Sequence, residues 1–287
     1  MPVTIPNSAG PYLRRIAVSA KWVRDGNYTI SNSWTKEMED VLRFFDEQNQ
    51  LQRRLPRLQG KWRELAAELA EGRAGRFLHS HGFRILAWEP PSLTGCPGDL
   101  LVQAKTPAPI FVEVKCPDWE GEFEGELEKK EFFERKALGK YVDGEGRAAS
   151  AVEIPFRVIR DNALKKFTDD RPNMVVVVDD LMLSPAEARG IIDGQVRGFL
   201  REPALARLGA ILFLKPECPV GEPVRYLSNF YDNPAALPAC QLPRDAVAVL
   251  KDRAEQDSTI VHDEANRWTD DPQRTLEDLA TKLCGGA

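Results

Sequence analysis

The run from Asn173 to Leu183, NMVVVVDDLML, constrains the fold of this chain more than any other segment. Four consecutive valines leave no polar side to turn toward water, so the segment reads as a strand covered on both faces, as in a parallel sheet. Leu208 to Lys215 repeats the pattern. Two such strands need apolar layers above and below them, and the stretches of helical periodicity around them supply those layers. The expected class is α/β, with a mixed central sheet flanked by helices. At 287 residues, 43% hydrophobic and 29% charged, the chain can bury such a core, which excludes a disordered tail or a disulfide-stapled miniprotein.

Other features narrow the class. The first ten residues, MPVTIPNSAG, carry neither a basic nor an apolar leader segment. The longest apolar runs fall far short of the about 20 residues a membrane helix needs. The expectation is a soluble, cytoplasmic protein with no membrane partner. Five cysteines (Cys96, Cys116, Cys218, Cys240, Cys284) at wide spacing, without a CxxC pair, fit a reducing compartment. They exclude a zinc ribbon and argue against a four-cysteine iron–sulfur cluster.

Along the chain, Thr35 to Gln52 carries apolar residues at helical spacing until Pro56 interrupts it, and a second helix is expected from about Gly60 to Ser80. Gly72 and Gly75 weaken its middle. From Gly82 the period shortens to that of strands: Phe83 to Trp88, Gly98 to Gln103 and Ile110 to Cys116, the last two joined by the turn Thr106-Pro107-Ala108-Pro109. A helix is expected up to about Tyr141, another opens at Pro155 with Phe156, Ile159, Ala163 and Phe167 on one face, and a third opens at Pro185. Val224 to Tyr231 reads as a further strand, followed by helices over Arg244 to Gln256 and Gln273 to Leu283.

The chemistry concentrates in Gly95 to Cys116, GCPGDLLVQAKTPAPIFVEVKC. Side chains alternate along a strand, so Glu113 and Lys115 share one face while Val112 and Val114 take the other. Ionised groups beside a core cost several kcal/mol, roughly, unless paired or ligated. With Asp99 opening the neighbouring strand, two carboxylates meet at one edge, and a divalent cation satisfies both. The rival reading is a surface ion pair at a strand end.

Asp99 followed fourteen residues later by Glu113-Val114-Lys115, after a glutamate-bearing helix, resembles the PD-(D/E)xK nuclease superfamily, the restriction-endonuclease-like fold. The specific resemblance covers residues 61–116, and a looser architectural one extends to about 183. It implies a nuclease-like domain over residues 61–233, an N-terminal helical extension over 1–60 and a C-terminal helical tail over 234–287. It implies that Glu71 completes the site, with Glu68 and Glu64 behind it as alternatives. It further implies Mg²⁺, or Mn²⁺ in its place, held by Asp99, Glu113, Glu71 and the Val114 carbonyl, with Lys115 against the phosphate as a fixed positive charge. The activity implied is phosphodiester hydrolysis, of DNA ahead of RNA. Two departures stand out. The family's Pro-Asp pair is here Pro97-Gly98-Asp99, and the QxxxY motif of one exonuclease branch has no counterpart after Lys115. Glu128-Lys129-Lys130 has the same short pattern but lies in a charged stretch.

The net charge of −5 excludes binding of polyanions through bulk charge. Residues 117–131 alone, with seven acids and two lysines, account for that excess, and a solvated loop is the plain reading of them. Residues 51–91 are locally basic, with Arg53, Arg54, Arg57, Lys61, Arg63, Arg73, Arg76 and Arg84 against four acids, and Arg157, Arg160, Lys165, Lys166 and Arg171 form a second cluster. Either cluster suits phosphate contacts or an ordinary solvated helix face. His79 and His81, two residues apart, do not share a helical face. Asp179-Asp180 read as turn residues, and Cys96 and Cys116 as small semi-buried side chains. A non-catalytic binding or scaffold module, or an RNA-directed nuclease, remains the alternative, and a homo-oligomer stays open.

Overall fold

A computed structural model describes residues 5–7, 9–25, 32–116, 153–178, 185–217 and 223–270. The acidic segment 117–131, Asp179-Asp180, the helix expected before Tyr141 and the one over Gln273 to Leu283 lie outside the described residues.

Six strands form one mixed sheet, in the order of the sequence: β1 (Arg84–Trp88), β2 (Leu100–Gln103), β3 (Ile110–Lys115), β4 (Asn173–Val178), β5 (Ala210–Glu217) and β6 (Arg225–Asp232). The first three make an antiparallel meander; β3, β4 and β5 run parallel, and β6 returns antiparallel. Parallel neighbours need a crossover. All six residues of β4 are buried: Asn173 at its start and then the apolar run Met174 to Val178.

Four helices precede the sheet: α1 (Pro11–Ala17), α2 (Lys21–Asp25), α3 (Asn32–Glu47) and α4 (Leu51–Leu58). They are followed by α5 (Trp62–Ser80), then α6 (Glu153–Val158) and α7 (Pro185–Leu200) between the parallel strands, and α8 (Arg244–Asp270) after β6. The helix α6 continues into a π turn, Ile159–Ala163, and a 3-10 turn, Leu164–Lys166. One sheet face packs Phe111, Val175, Val177 and Ile211 against Phe156, Ile159, Ala163 and Phe167, the set its spacing put on one face. The opposite face packs Val112, Val114, Met174 and Val176 against Ala70, Ala74 and Phe77 of α5 and against Ala246, Leu250 and Ala254 of α8. Helix, sheet and helix form three layers, in keeping with the α/β class and the flanked mixed sheet expected from sequence.

The N-terminal helices build their own cluster of Leu13, Ile16, Trp22, Leu42, Phe45 and Leu58, closed by Leu65 and Leu69 of α5. The break in the first long helix falls earlier than Pro56: the chain turns at Asn49, with φ of 57°, and Pro56 lies inside α4. Packing of Leu51 and Leu58 holds this short helix in spite of the proline. Gly72 does not interrupt α5. A Cβ there would strike Val41 and the Phe45 ring, so the glycine lets α3 lie close against α5.

Gly72→Ala separates the two influences on that position. Helix propensity alone favours alanine by about 1 kcal/mol, whereas overpacking against Val41 and Phe45 costs about 1–3 kcal/mol. A net loss of stability is expected in denaturant unfolding, with Phe45→Leu recovering part of it; a gain would refute the close-packing account.

Candidate active site

Leu100 pairs with Val112, and continuing that antiparallel register sets Asp99 opposite Glu113. Parallel pairing on the other side seats Glu113 beside Val175 of the buried central strand. A carboxylate is thus placed where the sheet is most completely covered, and Glu113 is 0% exposed.

Glu113 is held by two lysines. Lys115 Nζ donates to Glu113 Oε1 at 2.6 Å, and Lys166 Nζ donates to the same oxygen at 2.5 Å and to the Pro97 carbonyl at 2.9 Å. The other oxygen, Oε2, is buried without a hydrogen-bond partner among the described residues. Asp99 Oδ2 accepts the Val114 N–H at 2.6 Å, which locks the aspartate to the strand carrying Glu113. Gly98, inserted between proline and aspartate, has a packing reason: a Cβ there would fall on the Phe111 ring. The loop before it is tied by Gly98 N–H to the Pro90 carbonyl at 2.8 Å and by Glu89 N–H to the Asp99 carbonyl at 3.0 Å.

From α5, Glu71 reaches the same region. Its Oε2 accepts from Arg54 Nη1 at 2.6 Å. The same Arg54 nitrogen donates to Glu68, which also accepts from Arg57 at 2.9 Å. Arg54 is 2% exposed and its guanidinium lies between the Phe45 and Trp88 rings, 4.7 and 4.8 Å from their centroids. Of the three candidate glutamates, Glu68 is thus consumed by arginines and Glu64 caps its own helix through the Lys61 N–H. Glu71 feels the charge of Asp99.

Several arginines of the basic stretch 51–91 are engaged in ion pairs. Arg54 is buried in its ion pairs, and Arg73 bonds Glu37 at 2.9 and 2.8 Å. Arg53 pairs with Glu89 and Arg76 with Asp40. Arg54, Arg73 and Arg76 tie α3 and α4 to α5, and Arg53 ties α4 to Glu89 just after β1. His79 and His81 pack their rings on Phe44 and Phe77, and Cys96 and Cys116 are exposed rather than semi-buried.

Crowding of carboxylates sets the electrostatics. Burial, then the Glu113 charge, pushes Asp99 up to about 6 against the pull of Lys115. Burial, then Asp99, pushes Glu71 up to about 8 against the pull of Arg54. Burial works against the charged form of Lys166, but its hydrogen bond to Glu113 and the charges of Glu113 and Asp99 outweigh that and raise its pKa. Among the described residues, no three His, Cys, Asp or Glu side chains gather as a ready-made metal group. Of the residues that sequence reasoning selected, Asp99, Glu113 and Lys115 lie together at one end of the sheet, and Glu71 meets them only through the charge of Asp99. Lys166 joins them by reaching Glu113; its sequence position showed only a basic cluster, because the contact depends on how the turn after α6 docks on β3.

Comparison with known protein families, with curated proteins and with solved structures returns no match. Among the described residues, no helix is long and apolar enough to cross a membrane.

The raised carboxyls give a signed pH dependence. Asp99 and Glu71 keep protons in the fold that the unfolded chain releases, so their contribution to stability is full below the ordinary carboxylate range. It is lost as pH rises through about 6 and then about 8. A divalent cation that takes up these carboxylates competes with the same protons. The rise in melting temperature on adding MgCl₂ is therefore expected to be larger above about pH 8 than near about pH 5, and to vanish in Asp99→Asn. Equal shifts at both pH values would refute it.

Proposed function

We propose that this chain is a divalent-metal-dependent nuclease with a restriction-endonuclease-like core, hydrolysing phosphodiester bonds of DNA in preference to RNA, in the cytoplasm. The observation that carries this reading is Glu113: a carboxylate with no solvent exposure, one oxygen unpartnered among the described residues, set opposite Asp99 and beside Lys115 at the end of a central strand. A buried anion of this kind is expensive for a fold to keep without use. The order of α5, the β1–β2–β3 meander, the α6 segment and parallel β4 further supports it.

The donor set fits a small hard cation. All candidate ligands are oxygens, from Asp99, Glu113, Glu71 and the Val114 carbonyl, which is the preference of Mg²⁺ or Mn²⁺. The unpartnered Glu113 Oε2 and the mutual repulsion that raises Asp99 are what such a charge would relieve. When bound, the ion supplies Lewis-acid polarisation of the phosphate and a lowered pKa for a bound water. Asp99, locked to the Val114 N–H, and Glu113, fixed in the ladder, hold their oxygens without further ordering. Lys115, on the same strand face, directs positive charge at the phosphate and the attacking water. Glu71, steadied by Arg54, lies behind Asp99 and adds a ligand directly or through water.

One observation favours a second reading. Lys115 and Lys166 already neutralise Glu113, as they would in a non-catalytic nucleic-acid-binding or scaffold module retaining the fold. Incubation of the purified chain with supercoiled, linear and single-stranded DNA and with RNA, in MgCl₂, MnCl₂ or EDTA, separates the two. Cleavage is expected only with the divalent ion, and Asp99→Asn and Lys115→Ala are expected to lower the rate by about 10²-fold or more. No cleavage under any ion, or variants as active as the parent, overturns the nuclease reading.

A further inference from the structure

Two ammonium groups share one oxygen of Glu113, while its other oxygen has no hydrogen-bond partner among the described residues. Lys115 and Lys166 stand 2.6 and 2.5 Å from Glu113 Oε1, so they lie close to each other and repel, and the carboxylates of Glu113 and nearby Asp99 offset that repulsion. A cation that engages the other oxygen of Glu113 adds a third positive charge beside the two lysines and weakens the hold of the carboxylate on them.

We propose that Lys166 is the lysine that lets go and that it is a substrate-binding residue: it is held on Glu113 while the site is empty and turns to a backbone phosphate of the nucleic acid once Glu113 is engaged. The inference rests on the nuclease reading above, and it adds a second cation to the site and an order of binding. The anchoring differs between the two lysines. Lys115 lies on β3, in register with Val177, next to the carboxylate it serves. Lys166 ends a 3-10 turn, and its remaining partner is the Pro97 carbonyl in the loop before Asp99. Directly after it, Phe167 is fully buried against Phe111, with ring centroids 5.9 Å apart, so the backbone beneath Lys166 is fixed. Above that fixed point the four-carbon stem can re-aim a compact charge by rotamer change alone. Lys166 is 19% exposed, so its head already borders solvent. Lys165 beside it is exposed and has no ion pair among the described residues.

The alternative is a permanent ion pair that merely staples the turn to β3. Such a role would alter stability without altering how salt affects nucleic-acid binding. Fluorescence anisotropy of a labelled duplex oligonucleotide, titrated over a KCl series in EDTA and again in CaCl₂, distinguishes them. In CaCl₂, Lys166→Gln is expected to reduce the slope of log affinity against log salt by about one, the loss of one phosphate contact, while Lys166→Arg keeps the slope. In EDTA, Lys166→Gln and the parent are expected to share the same slope, because Lys166 is then spent on Glu113. Lys166→Met, which keeps the apolar stem, serves if the glutamine variant fails to fold. An unchanged slope in CaCl₂, or an equal change in both buffers, overturns the inference while a parent that binds and cuts leaves the nuclease reading standing. A parent that neither binds nor cuts any nucleic acid overturns both.

Discussion

The rest of this molecule is arranged around the burial of one carboxylate. Glu113 sits on the third strand of a sheet whose neighbouring strand β4 is wholly buried, and a charge in that position persists only if its surroundings supply opposite charge. They do so from two directions: Lys115 from the same strand and Lys166 from the turn that closes the crossover to β4. Asp99, tied to the backbone of that strand, brings a second negative group into the same end of the sheet. The region is therefore rich in opposed charges and tightly held, which is the condition under which an added cation or phosphate changes the balance most.

A second buried charge system joins the N-terminal helices to this site. Arg54 on α4 is enclosed by aromatic rings and bonded to Glu68 and Glu71, so the α5 glutamate that feels the Asp99 charge is positioned by a helix that precedes the sheet layer in the chain. Such a pair contributes little net stability compared with apolar packing, yet losing one member leaves an uncompensated buried charge. The consequence is structural coupling: the geometry of Glu71 depends on the packing of α3 and α4 against α5, and on Gly72, which permits their close approach. The arginines that make the stretch 51–91 look basic are largely spent on this attachment.

Much of this was legible in the chain because the signals were local. The valine run dictated a doubly covered strand, alternation along Ile110 to Lys115 put Glu113 and Lys115 on one face, and the helical spacing of Phe156, Ile159, Ala163 and Phe167 matched their common burial. Where the reading failed, a contact between distant elements had intervened. Pro56 was expected to end a helix, but the chain turned at Asn49 and tertiary packing carried the proline inside α4. The glycine before Asp99 departed from the family's pattern in sequence and became explicable only with the Phe111 ring lying where its side chain would be.

The sequence by itself determined the α/β class, the strands and the choice of Asp99, Glu113 and Lys115, since hydrophobic period and residue type are properties of neighbours along the chain. Only the tertiary structure decided that Glu68 and Glu71 share Arg54, which arginines are held in ion pairs, and that Lys166 belongs with Glu113. Those outcomes depend on charges brought together from positions 14 to 53 residues apart. The energy of a buried ion is set by what folding places around it, and no local pattern encodes that.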